Sequence, residues 1–121
     1  MNWFAETRDH YCPLWFDAMQ RAYPERWRVF SRQTSGATLV KHDPTPDRVA
    51  VIISGGGVNG PFIPGFVGEG LADACVAGPP NTAPNAFALY EVARTLGREK
   101  GVLLMYNNFM GDYLNNDMAA E

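Results

Sequence analysis

Two short stretches carry residue types suited to chemistry. The first is Asn107-Asn108-Phe109-Met110-Gly111-Asp112. A carboxylate between a strand-ending loop and a helix can act as general acid or base when it faces a ligand. The alternative role for Asp112 is a helix N-cap, worth about 1 kcal/mol of stability. The two roles are compatible. The second stretch is Ser54-Gly55-Gly56-Gly57-Val58-Asn59-Gly60. Consecutive glycines have too much backbone freedom to lose inside a helix or strand. They are expected instead to turn the chain and bring bare N–H groups close to a ligand. A plain tight βα turn is the alternative, because short motifs are weak signals. The amides of Asn59 and Asn107 suit hydrogen bonds to ligand hydroxyls, and both residues are equally expected as ordinary turn formers.

Other chemistries find little support. The chain has two histidines, His10 and His42, so no Ser–His–Asp or Cys–His constellation can be assembled around them. His42, beside Asp43 in a polar loop, is expected to be a solvated surface group. His10 near Cys12 is too sparse for zinc, which needs three or four ligands. Asn108, Asn115, Asn116 and Asp117 lack the carboxylate density of a hard-cation site, and no metal is expected. Cys12 and Cys75 are the only cysteines and form no CxxC pair, which suggests reduced thiols in a cytoplasmic protein.

The elements that must position these residues follow from hydrophobic patterning. Val49-Ala50-Val51-Ile52-Ile53 is an unbroken apolar run, predicted as a strand buried on both faces of a parallel sheet. Gly101-Val102-Leu103-Leu104-Met105-Tyr106 is predicted as a second buried strand. Between them, a helix is predicted from about Ala86 to Leu96, capped by Thr82 or Asn85 and closed at Gly97. A last helix should start near Tyr113 or Leu114, with Asp112 at or near its N-cap. The result is a βαβ unit with a right-handed crossover. If the strands are parallel neighbours, Gly55 to Asn59 and Asn107 to Asp112 line one pocket at the C-terminal edge of the sheet, where open α/β sheets bind ligands.

The first 30 residues carry an aromatic stripe (Trp3, Phe4, Tyr11, Leu14, Trp15, Met19, Tyr23) at helical spacing. Pro13 divides it into two pieces, and Tyr23-Pro24 ends it. Trp27 to Phe30 is a short apolar piece. The segment from Ser31 to Pro46 is polar and broken, and Thr38-Leu39-Val40 inside it is a candidate edge strand. Pro61 to Gly70 is too interrupted for a long helix. Leu71 to Ala77 is a helical turn or the start of a strand.

The totals agree with one small α/β domain spanning residues 1–121, with a helical and loop segment at 1–46 and the βαβ core at 49–121. Hydrophobic residues make up 46% and charged residues 19%, a globular composition. A net charge of −3 with no basic block gives no electrostatic footprint for nucleic acid. No apolar run approaches the length of a membrane span. The opening residues, with Glu6 and no basic region, are not expected to form a secretory signal.

Four segments, in order, resemble one family. They are Val51 to Gly57, Gly65-Phe66-Val67-Gly68-Glu69-Gly70-Leu71-Ala72-Asp73-Ala74, Gly101 to Leu104, and Asn108 to Asp112. Together with the closing Asn116-Asp117-Met118-Ala119-Ala120-Glu121, they are similar to the substrate-binding subunit, or N-terminal kinase domain, of the dihydroxyacetone (glycerone) kinases. Tyr23-Pro24 falls where that family tends to have Asn-Pro. The resemblance implies that the glycine loop and Asp112 hold a short keto-polyol, with Gly56 and Gly57 giving backbone contacts. Asp112 would move a proton while a hydroxyl takes a phosphoryl group. The donor, ATP with Mg or a phosphoprotein, would sit on a separate domain or subunit, in keeping with the absence of a GxxxxGK[ST] loop here. Association into an oligomer is also implied.

The chain departs from the family at the proton-moving positions. The family follows its glycines with Ser-Gly-His-Glu-Pro, whereas this chain reads Val58-Asn59-Gly60-Pro61. Asn59 or Gly60 therefore takes the histidine's place, and Asn107 takes the place of a family lysine. The family's later, covalent histidine has no counterpart in these residues. Three expectations follow. The chain is part of a kinase-like enzyme that binds a small hydroxy-ketone or polyol, completed by another chain. Alternatively, it is a non-catalytic ligand-binding or regulatory subunit. A third possibility is a partner subunit that folds only against its complement.

Overall fold

The computed structural model describes residues 5–33, 36–43, 47–57, 62–97 and 99–121. Asn59 and its neighbours Val58, Gly60 and Pro61 lie outside the described residues, as do Trp3, Phe4 and Pro46.

A five-stranded sheet runs through the middle of the molecule in the order β1-β2-β4-β3-β5. Its strands are β1 (Trp27–Arg32), β2 (Ala37–Lys41), β3 (Ala50–Gly55), β4 (Ala74–Ala77) and β5 (Val102–Tyr106). β3 pairs in parallel with both β4 and β5, so the expected parallel unit is present. The whole sheet is mixed, however, because β2 runs antiparallel to both β1 and β4. The helices are α1 (Tyr11–Ala22), the single turn α2 (Phe62–Gly65), α3 (Ala86–Gly97) and α4 (Met110–Ala120), with a 3₁₀ turn at Arg8–His10 before α1.

The unbroken apolar run of β3 is explained by helices on both sides of the sheet. Ile53 points into one cluster, with Cys12 and Phe16 of α1, Leu39, Ile63 and Cys75. Ile52 points into the other, with Val40, Val76, and Leu89 and Val92 of α3. α1 buries Cys12 and Phe16 one helical turn apart. Pro13 sits in its first turn, where no N–H is needed, and the helix stops at Ala22, two residues before Pro24. Asn85 Oδ1 accepts the Ala88 N–H at 2.9 Å and caps α3. Thr82 does not perform that role.

Three expectations are corrected. Thr38 to Val40 is not an edge strand. It lies inside β2, all five residues of which are buried because the Trp27 hairpin covers the outer side. β5 is not buried on both faces but is the edge of the sheet. Val102 and Leu104 pack inward, while Leu103 and Met105 are half exposed. Finally, α4 begins at Met110, earlier than its apolar pattern suggests. Phe109 occupies the N-cap position without a side-chain cap, so Asp112 lies inside the first turn and is not the cap.

Candidate active site

The site forms where β3 and β5 end. Ser54 pairs with Tyr106 across the two strands, which brings the following residues, Gly55 and Asn107, side by side. The Asn107 side-chain nitrogen lies 2.8 Å from where a Gly55 Cβ would stand. The two loops expected to meet therefore do meet.

The glycines are needed for close approach to the rest of the protein as well as for turning. None of Gly55, Gly56 and Gly57 has a positive φ. A methyl group on Gly57 would overlap Cys12 Sγ and lie 2.6 Å from Gly78 O, and one on Gly56 would press against the Thr82 backbone at 3.3 Å. The segment 78–82 is latched onto the glycine loop by two hydrogen bonds. The Gly78 N–H donates to Gly55 O at 2.9 Å, and the Gly57 N–H donates to Pro79 O at 3.1 Å. The Gly57 N–H is thus occupied within the fold. Beneath the loop, the Cys12 thiol donates to Gly78 O at 3.1 Å. Burial raises its pKa to about 11 and pushes that of Cys75 up further. Both thiols are therefore protonated and unreactive at neutral pH.

α4 closes the third side. The Asn116 amide donates to Ser54 Oγ at 3.0 Å and to the Asp112 carbonyl at 2.8 Å, while the Ser54 hydroxyl lies 3.2 Å from Asn116 Oδ1. Asn115 donates to Pro84 O at 2.8 Å, and Gly111 packs against Ala83. The first two turns of α4 are thereby fixed to the end of β3 and to the 78–84 segment.

Asp112 is held in this frame with 3% of its surface exposed. Its Oδ1 is buried and has no hydrogen-bond partner. An unsatisfied buried acceptor costs roughly 1–3 kcal/mol. Burial raises the carboxyl pKa above its ordinary value, even though the first turn of a helix favours an anion. The group is poised to take a proton, or to accept a hydrogen bond from a hydroxyl that reaches it. Among the described residues, no three His, Cys, Asp or Glu side chains converge as metal ligands, and no helix is long and apolar enough to cross a membrane.

Patterning alone did not reveal the Ser54–Asn116 pair or the part played by segment 78–84. Asn116 falls four residues after Asp112, on the same helical face, and this spacing was the available signal. A third missed feature is Arg8, whose Nη2 donates to Thr82 Oγ1 at 2.7 Å and to Pro80 O.

A glycine loop with a buried carboxylate at the C-terminal edge of such a sheet is the arrangement in which α/β proteins bind small molecules. Comparisons with known proteins show the family. The Dak1 domain model matches residues 17–121, and the chain belongs to that family. It is 42% identical over 74 residues to the dihydroxyacetone-binding subunit of PTS-dependent dihydroxyacetone kinase 2 of Listeria innocua, covering 61% of this chain and 22% of that protein. It is 41% identical over 76 residues to the D-erythrulose kinase of Mycolicibacterium smegmatis, covering 63% of this chain and 13% of that protein. The crystal structure of the dihydroxyacetone kinase from Citrobacter freundii in complex with AMP-PNP and Mg2+ superposes with a TM-score of 0.88 at 29% identity. That match covers 98% of this chain and 22% of the other. The chain thus spans about a quarter or less of the relatives named here.

Proposed function

We propose that this chain contributes the substrate-binding part of a dihydroxyacetone-kinase-like phosphotransferase and holds a short hydroxy-ketone. The single observation that carries the proposal is the buried Asp112 carboxylate, with an unpartnered oxygen at the end of β3 and β5. In this reading the substrate lies against Gly55, Gly56 and Asn107. Asn59 would offer its amide to the same substrate. Asp112 accepts the proton of the hydroxyl that attacks the phosphoryl donor. The donor binds on another domain or subunit. The relatives' names span dihydroxyacetone and D-erythrulose, which favours a short ketose.

The site is completed by further polypeptide. Leu103 and Met105 are half exposed on the edge strand β5, and Met110, Leu114 and Met118 form an exposed apolar stripe on α4 at helical spacing. An open strand edge beside such a stripe suits another α/β segment. The buried, protonated thiols fit a reducing compartment such as the cytoplasm. The neutral Asn107 favours a second reading, a ligand-binding regulatory subunit without turnover.

Titration with dihydroxyacetone, followed by backbone amide NMR, tests the site. Shifts should cluster at Gly55 to Gly57, Asn107 and Asp112, and their absence at millimolar ketone would overturn the proposal. Native mass spectrometry of the protein purified from its own source tests completion. A bound partner chain is expected, whereas a folded chain alone would remove that part.

A further inference from the structure

We propose that Arg8 is the phosphate-binding residue of this site, holding the phosphate monoester of the short hydroxy-ketone against the glycine loop. The inference rests on the ketose reading of the pocket and adds to it a charged subsite supplied by the segment before α1.

The geometry begins at the 78–82 segment. It is hydrogen-bonded to Gly55 and Gly57, and the Thr82 backbone packs on Gly56. Arg8 is bonded to that same segment, through Thr82 Oγ1 and the Pro80 carbonyl. Its guanidinium is therefore bonded to the segment whose Thr82 backbone packs on the glycine loop. Both bonds come from Nη2, which leaves the Nε and Nη1 donors without a partner among the described residues. A guanidinium offers five N–H groups in a rigid fork that matches phosphate oxygens. Here one corner is anchored and the rest of the fork remains open.

The distribution of charge points the same way. Arg26, Lys41, Arg48 and Lys100 stand at the opposite edge of the sheet, where β1, β3 and β5 begin and β2 ends. Arg32, at the end of β1, is paired with Asp17 and lies three strands from β3. Among the described residues at the glycine-loop edge are Asn107, beside Gly55, and the buried Asp112 carboxylate. A phosphoryl group arriving there carries negative charge toward a carboxylate, which is unfavourable without a cation nearby. Of the described cations, Arg8 is the one tied to the segment that touches the loop.

Calorimetric titration of the full chain with dihydroxyacetone and with dihydroxyacetone phosphate tests the proposal, comparing wild type, Arg8→Met and Arg8→Lys. Loss of a charge-assisted contact should weaken the phosphate ester about tenfold in Arg8→Met, with an intermediate loss in Arg8→Lys. The unphosphorylated ketone should change less than twofold. Added salt should weaken the ester in wild type more than in Arg8→Met. Equal loss of both ligands would show that Arg8 only anchors the 78–82 segment, and would overturn the proposal. An unchanged affinity for the ester would do the same. If Arg8→Met fails to fold, Arg8→Lys and the salt dependence of the wild type decide, and ester binding insensitive to both would sink the inference. Wild type that binds the ketone but not the ester removes the Arg8 assignment alone. Wild type that binds neither removes the ketose reading and this inference with it.

Discussion

Two aspartates, equally buried, sit at opposite edges of the same sheet. Asp73 is 2% exposed and Asp112 is 3% exposed. Asp73 is fully partnered. It accepts from the Val51 N–H and from Arg48 Nη2, each at 2.9 Å, and lies 3.8 Å from Lys41 Nζ. Lys41 in turn bonds to Glu69 at 3.2 Å. This network stitches the start of β3 to the end of β2, and a cavity of about 490 Å³ opens over it. Asp112 has no such company. Its Oδ1 is left without a partner, and desolvation raises its pKa. The same side chain at the same burial serves the fold at one edge, and at the other is left ready for a ligand. The presence or absence of partners, more than burial, separates structural from chemical carboxylates here.

Substitutions should separate the two edges. The largest expected effect is on turnover. With the donor-bearing partner present, Asp112→Asn should lower the rate of phosphoryl transfer roughly 10²–10⁴-fold, the usual cost of removing a proton-transfer group. An unchanged steady-state rate would break the comparison at its chemical end. Asp73→Ala should act on stability instead. Removing one member of a buried ion network costs about 3–5 kcal/mol, read as a lower urea midpoint, while ketone affinity per folded molecule stays the same. Gly57→Ala comes next. A methyl group pressed onto Cys12 and Gly78 O should cost about 1–3 kcal/mol and loosen the loop, measured by the melting temperature and by ketone affinity together.

The smallest effect sharpens the contrast through pH. Because the folded-state pKa of Asp112 is raised, its neutral form is the one the fold favours. Its contribution to stability is present below the ordinary aspartate value, about 3.9, and is lost as pH rises through the folded value. Asp112→Asn should therefore be more stable than wild type at pH 8, by about 0.5–2 kcal/mol. The gain should vanish toward pH 3 in matched melting curves. A variant less stable than wild type at pH 8 would mean that the carboxylate has a partner after all.

Much of this was legible in the sequence. The apolar runs at Val49 to Ile53 and Val102 to Leu104, each followed by polar or glycine residues, located β3 and β5 and brought the two loops together. The Asn85 cap and Gly97 bounded α3 closely. The sheet beyond β3 was harder to read. β2 looks polar-flanked and short, and its central place depends on pairing with β4, whose partner residues lie 34 to 40 positions away in sequence. β5 reads as buried because Leu103 and Met105 are apolar, yet their surface is left bare at the edge. The start of α4 was misplaced because Phe109 and Met110 do not look like a helix entry, and this misassigned Asp112 to the cap. The role of Arg8 is a tertiary fact, set by how the 78–82 segment folds back over the glycines, and no periodicity announces it.

The most direct test of the central claim is the carboxyl-carbon NMR titration of Asp112, with Asp112→Asn identifying the resonance, in the absence and presence of dihydroxyacetone. The expected result is a pKa above the ordinary aspartate value in the free protein that moves when the ketone is added. A carboxyl that titrates at or below the ordinary value and ignores the ketone would contradict the account.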